Sequence, residues 1–391
     1  MTGASRPQVP GNGGALQGLR ILFLFGSLDL GGAERQGLEV ADYLKGVCGA
    51  RVEVWGLSEK PGRLSELCQE RSIPWQGIRF HWGIRKGFSH FFEFLARLRA
   101  NRPDVLISAT CVPNLVCALM WKAAGARLCI WNQVDEGLLL HGGVLHRLAV
   151  RLPHCFISNS TGGRDFLSRT YGLPPGRITV IHNGIAPPKP IHGRDEWRRR
   201  LGVEPDATLA CMVANLSRHK DHETLLHAWA GISPRPGRPR TELLLAGRFD
   251  GTEDRLSRLC EDLAIGDRVR FLGPVDDVDG LLGACDLFVY SSRSEGIPNA
   301  VLEAMAAGLP VVATDIPGIR EAVGDDGRPF LAPAGDSAAL ADRIELLLDG
   351  AELRNSLGAR LQRRAESHFS VEDMRRATAG TIIAALGEQT R

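Results

Sequence analysis

The chain has 391 residues, of which 44% are hydrophobic and 24% charged, and its formal net charge is +2. This length predicts two domains of ordinary size, and the composition is that of a globular chain rather than a fibrous or disordered one. A charge this close to balance gives no indication of nucleic-acid binding. The sequence also has no apolar run that approaches the length of a membrane span.

Residues 1–18 are rich in glycine, proline and polar side chains and lack the apolar core of a signal peptide, so we expect a disordered N-terminal lead. The cysteines form no C-x-x-C pair and mostly have apolar neighbours, which predicts buried free thiols and a cytoplasmic protein. The nine cysteines are Cys48, Cys68, Cys111, Cys117, Cys129, Cys155, Cys211, Cys260 and Cys285.

Short apolar runs alternate with amphipathic stretches over 19–185, which predicts a first α/β domain. The runs are continuously apolar, as expected of a parallel sheet buried on both faces. Strands are predicted near 21–25, 52–57, 105–108, 128–131, 155–158 and 179–181, and helices near 33–45, 62–71, 88–100, 113–124, 144–151 and 161–171. Residues 186–194 contain three prolines and few apolar side chains, which predicts a linker.

A glycine pair, Gly31 and Gly32, follows the first predicted strand and opens the first predicted helix. Glycines let a backbone approach a ligand closely, and a helix N-terminus favours an anion. Such a pair is also a common turn. The spacing is not the G-x-G-x-x-G of a dinucleotide site, so no nicotinamide cofactor is predicted.

Two other segments of this half are candidates for binding an acceptor. Asn132, Gln133 and Asp135 follow a predicted strand, at the edge where parallel sheets bind ligands, although Asp135 could equally cap the next segment. Residues 79–86 mix cations with aromatic rings, which suits an acceptor, peripheral contact with a membrane, or a solvated loop. We interpret His141 and His146 as surface or packing residues.

The alternation restarts over 195–368, which predicts a second α/β domain, and residues 369–391 contain a last helix over 371–386. Two such domains facing a cleft are expected to bind ligands at the carboxyl ends of their strands. Strands are predicted near 209–213, 242–246, 269–271, 287–290 and 311–313, and helices near 221–232, 253–264, 276–284, 299–307, 336–349 and 351–366.

Charged residues mark two turns of this second half. Arg218 and Lys220 follow its first strand, where both cations suit phosphate oxygens, although a solvated basic turn has the same pattern. Asp277 and Asp279 match the D-x-D of metal-dependent transferases. They begin a predicted helix, where acids are favoured by the helix dipole, so we do not expect them to bind a metal.

Two glutamates, Glu295 and Glu303, lie around the start of a helix that directly follows the apolar strand 287–290. Pro298 suits the first turn of that helix. Free N–H groups at such a start favour phosphate, and carboxylates beside it can accept hydrogen bonds from sugar hydroxyls. This arrangement suits a nucleotide-sugar, although two solvated glutamates are the commoner explanation for the pair alone.

The surrounding sequence adds a family resemblance. Residues 291–315 contain Glu-Gly-Ile-Pro-Asn and Leu-Glu-Ala-Met-Ala-Ala-Gly-Leu-Pro-Val-Val-Ala-Thr-Asp. This stretch resembles the E-x7-E signature of the retaining glycosyltransferases of family 4 (glycosyl transferases group 1). The resemblance extends over nearly the whole chain beyond residue 18. It implies the GT-B fold, in which two Rossmann-like, doubly wound α/β domains face a central cleft and the final helix commonly crosses back onto the first domain.

The resemblance implies a retaining hexosyltransferase without metal or other cofactor. It would move a hexose or N-acetylhexosamine from a nucleoside-diphosphate sugar, most often UDP-linked, to a glycan, lipid-linked or small glycoside acceptor. Glu303 would hold the ribose, Glu295 the sugar, and Lys220 and Arg218 the leaving diphosphate. Further donor contacts are implied at Gly31, Gly32, Gly247, Val275, Gly296, Ile297, Asn299 and Ala300, and acceptor contacts at Asn132, Gln133 and Asp135.

The chain departs from the family pattern at two functional places. Asn215 stands where an arginine is usual, so Arg218 is a candidate substitute, and Asn132 with Gln133 stands where a histidine is common. Asn183 and Gly184 resemble an interdomain element and are assigned to a hinge region. Two rival interpretations remain, namely a nucleotide-sugar epimerase of the same fold and a non-catalytic nucleotide-sugar-binding protein.

Overall fold

The computed structural model describes residues 13–80, 87–137, 140, 143–218, 220–232 and 235–388. The chain divides into two compact units. The first unit comprises Met1–Gly184 and Val371–Arg391, and the second comprises Ile185–Ser370.

The first unit contains a seven-stranded parallel sheet. Its strands are β1 (Arg20–Phe25), β2 (Arg51–Gly56), β3 (Trp75–Gly77), β4 (Val105–Ala109), β5 (Leu128–Gln133), β6 (Cys155–Ser158) and β7 (Ile178–Val180). Their order across the sheet is β3-β2-β1-β4-β5-β6-β7. The connecting helices are α1 (Gly32–Gly46), α2 (Arg63–Glu70), α3 (Gly87–Asn101), α4 (Cys111–Ala124), α5 (Val144–Ala149) and α6 (Thr161–Tyr171).

This sheet is buried on both faces, as its continuous apolar strands predict. Alternate residues of β1 enter different clusters because successive side chains of a strand point to opposite faces. Phe23 and Phe25 pack in one cluster with Leu38 of α1. Leu22 and Leu24 pack in another with side chains of β2 and α4.

The second unit contains a six-stranded parallel sheet. Its strands are β8 (Thr208–Val213), β9 (Thr241–Ala246), β10 (Val269–Gly273), β11 (Leu287–Tyr290), β12 (Val311–Thr314) and β13 (Leu331–Ala332), in the order β10-β9-β8-β11-β12-β13. The helices of this unit are α7 (Arg194–Leu201), α8 (His222–Gly231), α9 (Glu253–Asp262), α10 (Val278–Ala284), α11 (Asn299–Ala306), α12 (Pro317–Gly327), α13 (Ser337–Asp349) and α14 (Ala351–His368).

The last helix, α15 (Val371–Glu388), belongs to the first unit. Its side chains Met374, Ile382 and Leu386 are buried in the same apolar cluster as Leu38 of α1. Arg375 also forms an ion pair with Glu39 of α1. The first unit is therefore built from two segments of the chain that lie far apart in sequence.

Hydrogen bonds fix residue 184 within the first unit and residue 185 within the second unit. In the first unit, the side-chain amide of Gln36 donates to the carbonyl of Gly184 at 2.9 Å and accepts from its N–H at 3.0 Å. A Cβ on Gly184 would lie 2.4 Å from Cα of Val371, so this position requires glycine. In the second unit, the N–H of Ile185 donates to the carbonyl of Phe369 at 2.7 Å.

The predicted linker, 186–194, is hydrogen-bonded to the second unit. Lys189 N–H donates to Asp279 at 2.7 Å, while the N–H groups of Ile191 and His192 both donate to Asp277 at 3.0 Å. No helix in the part of the chain that the structure describes is long and apolar enough to cross a membrane.

Four elements are absent from the sequence-based assignment. Strands β3 and β13 have three and two residues, which is too short for a recognisable apolar run. Helix α7 is mostly charged, and its side chains Trp197 and Arg198 bind Asp277 and the carbonyl of Ala284. Helix α12 contains one proline and three glycines, so its sequence looks like a loop.

Candidate functional site

The strand order of the second sheet identifies a ligand-binding edge. Its winding direction reverses between β8 and β11, which lie side by side although two strands separate them in sequence. In open parallel sheets, ligands bind beyond the carboxyl ends of the strands at this reversal. Lys220 follows β8 and Glu295 follows β11, so the structure brings these two predicted residues to that edge.

Lys220 and Glu295 form a compact polar cluster with Tyr290 and Ser292. The Lys220 ammonium donates to Oε1 of Glu295, and also to the Tyr290 hydroxyl at 2.8 Å. Oε1 of Glu295 also accepts from the Tyr290 hydroxyl at 3.1 Å and from Ser292 Oγ at 2.8 Å. We call these four residues the Lys220 cluster.

Two groups of this cluster have capacity for further hydrogen bonds. An ammonium carries three N–H donors, of which the described residues take two. Oε2 of Glu295 accepts no hydrogen bond from the residues that the structure covers, and the Glu295 side chain is 16% exposed. The cluster therefore combines a cationic donor and an anionic acceptor, both available to one ligand.

The protonation states of the cluster follow from burial and neighbouring charge. Burial by itself lowers the pKa of Lys220, but Tyr290 and Glu295 together outweigh it and raise that pKa above its ordinary value. Burial, followed by the charge of Glu295, raises the pKa of Tyr290. At neutral pH the lysine is therefore charged and the tyrosine is a neutral hydroxyl that donates to the carboxylate.

The loops that carry the cluster are tied to one another. Ser291 Oγ donates to the carbonyl of Asp221 at 2.7 Å, and the Asp221 N–H donates back to the carbonyl of Ser291 at 3.2 Å. Thr314, at the end of β12, donates to the carbonyl of Ser292 and accepts from its N–H, at 2.7 and 3.0 Å. These hydrogen bonds fix the backbone on both sides of the Lys220 cluster.

Glu303 lies in the second turn of α11, as the sequence predicts, and is 8% exposed. Asn299 and Ala300 form the first turn of this helix. The preceding backbone is packed tightly against α12, because a Cβ on Gly318 would lie 1.8 Å from the carbonyl oxygen of Gly296. Ile297 is buried beside it. The loop from Glu295 to α11 therefore has a fixed backbone.

The other predicted donor residues of this unit differ in their surroundings. Gly247 has a φ of 153°, and a Cβ there would lie 2.0 Å from the carbonyl oxygen of Ala214, so only glycine suits this close approach. Val275 is half-buried against the apolar core. Asn215 and Arg218 are exposed. No hydrogen bond from the Arg218 side chain to another described residue is present.

Asp277 has a structural role in this unit. It accepts the N–H of Gly280 in the first turn of α10 at 3.0 Å, the Trp197 indole N–H at 2.8 Å, and the two linker N–H groups given above. Burial opposes ionisation, but these hydrogen bonds outweigh it and lower the pKa of Asp277. Within the described ranges, no three His, Cys, Asp or Glu side chains are grouped as metal ligands.

In the first unit, Gly31 caps α1 and Gly32 begins it. The Glu34 carboxylate folds back toward this helix start, and a Cβ on Gly31 would lie 2.6 Å from it. Burial raises the pKa of Glu34, while hydrogen bonds from the backbone of Glu34 and Gly31 oppose the rise. The glycine pair therefore lies beside a carboxylate of its own helix.

Gln133, a predicted acceptor residue, is buried and hydrogen-bonded on both ends of its amide. It accepts from the Trp131 indole N–H at 3.0 Å and donates to both the carbonyl and Oδ1 of Asp135 at 2.9 Å. Asp135 also accepts from the N–H of Gly137 at 2.7 Å. Asn132 is half-buried beside them. The three residues are brought together at the end of β5.

Several residues of the site were not among those predicted from the sequence. Tyr290 and Ser292 complete the Lys220 cluster, and Asp221 and Thr314 are bonded to the loops that carry it. A polar side chain at the end of an otherwise apolar strand, such as Tyr290 on Leu-Phe-Val-Tyr, is the signal that could have found them. Of the predicted cation-rich loop at 79–86, residues 81–86 lie outside the described residues, as does His141.

Comparisons with known proteins agree on one family. A family model described as glycosyl transferases group 1 matches residues 193–364, and one described as glycosyltransferase family 4 matches residues 30–188. The putative glycosyltransferase EpsD of Bacillus subtilis is 36% identical over 199 residues, covering 49% of this chain and 51% of EpsD. A D-inositol 3-phosphate glycosyltransferase of Streptomyces bingchenggensis is 29% identical over 240 residues, covering 59% and 52%.

A third relative is the lipopolysaccharide core biosynthesis glycosyltransferase LpsE of Rhizobium meliloti, which is 34% identical over 176 residues, or 45% of this chain and 49% of LpsE. The chain thus spans about half the length of the curated relatives it matches.

Among solved structures, HepE of Anabaena in complex with UDP-glucose superposes with a TM-score of 0.82 at 24% identity, covering 94% of this chain and all of HepE. The lipopolysaccharide glycosyltransferase WaaG superposes with a TM-score of 0.70 at 18% identity, covering 92% and 98%. At sequence identities this low, the two superpositions show a shared fold and nothing further. With both family models matched, this chain belongs to the group 1 and family 4 glycosyltransferases and has their GT-B fold.

Proposed function

We propose that this protein transfers a sugar from a nucleoside-diphosphate sugar to an acceptor hydroxyl, with retention of anomeric configuration and without a metal ion. A hexose or N-acetylhexosamine linked to UDP is the proposed donor. A glycan, lipid-linked glycan or small glycoside is the proposed acceptor.

The Lys220 cluster carries this proposal. A donor with a diphosphate next to a sugar needs a cation for the first part and a hydrogen-bond acceptor for the second. The third N–H of Lys220 suits a phosphate oxygen, and Oε2 of Glu295 suits a sugar hydroxyl. Glu303 is the proposed acceptor of hydrogen bonds from the two ribose hydroxyls, with the start of α11 between the two glutamates.

In the proposed reaction, the bond between the anomeric carbon and the diphosphate oxygen breaks while the acceptor oxygen bonds to the same face of that carbon. The acceptor proton passes to the leaving diphosphate, so the chain need not supply a general base. Lys220 would stabilise the charge that develops on the leaving group, an effect that acts on the transition state. Arg218 is the second cation proposed for this task, since Asn215 supplies none.

The relatives support a nucleotide-sugar donor. HepE has been solved with UDP, with UDP and glucose, and with UDP-glucose. UDP-glucose is therefore the first donor to test. LpsE and WaaG, both named for lipopolysaccharide biosynthesis, make glycan acceptors the first acceptor class to test.

The deciding experiment incubates the pure protein with a panel of labelled nucleotide-sugars and an acceptor extract, followed by mass spectrometry and determination of the product's anomeric configuration. We expect a retained glycosidic product and free nucleoside diphosphate. An isomerised sugar without acceptor would support the epimerase instead, and binding without turnover would support a non-catalytic protein. Activity that chelator treatment abolishes completely would contradict the metal-free mechanism.

Glu303 provides the corresponding test of donor binding. We expect Glu303→Ala to raise the donor KM by at least tenfold, since hydrogen bonds to a charged group contribute about 1.5–3 kcal/mol each. Glu242→Gln is the control, because Glu242 on β9 is also buried but pairs with Arg240, just before β9, and with Arg270 on β10. It should reduce stability and leave the KM unchanged. A normal KM in Glu303→Ala would rule out the ribose assignment.

A further inference from the structure

Helix α5 presents its apolar side chains away from the core of the first unit. Val144, Leu145 and Leu148 are 77%, 44% and 56% exposed. These positions, i, i+1 and i+4, share one face of a helix. The opposite side packs inward, where Ala149 and the following Val150 join an apolar cluster. A surface helix of a globular protein ordinarily has the reverse arrangement.

The charged side chains that the segment around α5 contributes are all positive. Arg147 on α5 and Arg151 just beyond it are exposed, and no Asp or Glu occurs between Glu136 and Asp165. Helix α4, which packs against α5, has Lys122 as its one charged residue. We call Val144, Leu145, Arg147, Leu148 and Arg151 the α5 surface.

We propose that the α5 surface binds the headgroup and upper acyl region of an anionic lipid membrane. Aliphatic side chains on one helix face, with arginines beside them in a segment that contains no acid, are the combination that interfacial helices use. A second copy of this chain fits less well, because a symmetric contact would place two sets of arginines against each other. Three aliphatic side chains and two cations predict weak, reversible binding that depends on anionic lipid.

Vesicle flotation tests this proposal independently of any transferase activity. The full chain is mixed with phosphatidylcholine vesicles, or with vesicles in which about one third of the lipid is phosphatidylglycerol. We expect flotation with the anionic vesicles, little with the neutral ones, and release at high salt, which screens surface charge. Absence of binding to anionic vesicles at low salt would overturn the proposal.

Substitutions locate the surface. Leu148→Asp should weaken binding by about tenfold or more, since it removes an apolar contact and adds repulsion. Arg147→Gln and Arg151→Gln should each weaken it by about fivefold at low salt and reduce the salt dependence. The arginine variants keep the apolar side chains, so they test the proposal even if Leu148→Asp folds poorly.

Leu346→Asp on α13 is the matched control for Leu148→Asp, because both leucines are about half exposed, at 47% and 56%. It should bind vesicles like the unmodified chain. Equal losses of vesicle binding in the α13 and α5 variants would overturn the assignment of membrane binding to the α5 surface. The same would follow if sedimentation showed a dimer that Leu148→Asp dissociates while vesicle binding stays unchanged.

Discussion

Tyr290 supplies one hydroxyl that contacts both charged members of the Lys220 cluster. It accepts from Lys220 and donates to Glu295, while its ring is buried at the end of β11. Replacement by phenylalanine would keep the buried ring and remove both of these hydrogen bonds. We therefore expect the hydroxyl to orient the lysine and the glutamate.

We expect Tyr290→Phe to fold normally and to lower kcat/KM for the donor by roughly tenfold, as hydrogen bonds to charged groups contribute about 1.5–3 kcal/mol. Steady-state kinetics measures kcat/KM, and thermal unfolding checks that the variant folds. Tyr171→Phe, at a buried tyrosine of the first unit, is the control for loss of a buried hydroxyl. Unchanged kinetics in Tyr290→Phe would show that the hydroxyl does not position the pair.

His222 predicts a pH dependence of stability. It is 2% exposed at the start of α8, and burial lowers its pKa to about 4, although its bond to the Lys220 backbone opposes this. The unfolded chain binds a proton near pH 6.5 while the folded chain does not until about pH 4. His222 therefore contributes stability above about pH 6.5 that is progressively lost as the pH falls towards 4.

Between pH 7 and pH 5 this loss amounts to about 2 kcal/mol. Urea unfolding of His222→Gln at the two pH values should show a correspondingly smaller decrease in the free energy of unfolding. His227→Gln, on the same helix but exposed, should behave like the unmodified chain. Identical pH dependence in all three proteins would refute this contribution of His222.

The sequence predicted the acidic and basic residues of the candidate site better than the residues that hydrogen-bond to them and to their loops. Lys220 and Glu295 each lie in a local sequence motif, one after the first strand of the second domain and one in residues 291–315. Tyr290 and Thr314 lie at the ends of strands that come together only through the sheet order, so no local pattern links them. Gln133, predicted as an acceptor residue, turns out to have both ends of its amide bound within the protein, a property that depends on Trp131 and Asp135.

Helix α12 contacts the loop that carries Glu295 through Gly318. The ideal Cβ of an alanine at Gly318 would overlap the carbonyl of Gly296, so the two backbones approach more closely than any side chain allows. A helix that looked like a loop in the sequence thereby sets the position of the proposed sugar-binding backbone.

Gly318→Ala should lower the free energy of unfolding by about 1–3 kcal/mol and also raise the donor KM, because the loop must shift. Gly283→Ala on α10 is the matched change, since a Cβ there meets no atom within 4 Å. It should be neutral or slightly stabilising. Donor titration and urea unfolding of both variants measure the effect. A Gly318→Ala protein with normal stability and KM would contradict the close contact.

Most other elements are predictable because periodicity and end signals agree. The helices from α1 to α6 and those from α8 to α11 follow apolar patterns with glycine or proline near an end. Helix α7 is missed because its stability comes from bonds to distant groups, such as Trp197 to Asp277. Its own sequence, Arg-Asp-Glu-Trp-Arg-Arg-Arg-Leu, contains only two apolar side chains and therefore no amphipathic pattern.

The two units share one winding scheme although the sequence shows no repeat between the halves. In each, the second and third strands lie outward of the first strand on one side, and the remaining strands follow on the other side. The expectation of a doubly wound GT-B architecture is therefore confirmed. Apolar strand patterns predict parallel sheets of this kind, whereas the expectation that both domains are doubly wound came from the family resemblance.

The contribution of α15 to the first unit gives a prediction for the whole chain. We expect Ile382→Asp to destabilise the first unit, since a charge would enter the cluster that contains Leu38 and Leu44. Hydrogen exchange should increase in α1 and β1 and stay unchanged in the second unit. Ala384→Asp, at an exposed position of the same helix, should leave exchange unaltered. Increased exchange confined to α15 would disprove this dependence.

The split composition of the first unit also has a consequence for synthesis of the chain. A ribosome delivers residues 185–370 before α15, so the second unit can fold on the nascent chain while the first still exposes the apolar surface that α15 covers. The first unit, most of which is synthesised first, would thus finish folding last. This can be tested with chains whose synthesis is stopped after residue 370 and that are then released from the ribosome. Protease should leave their second unit intact and cleave their first unit.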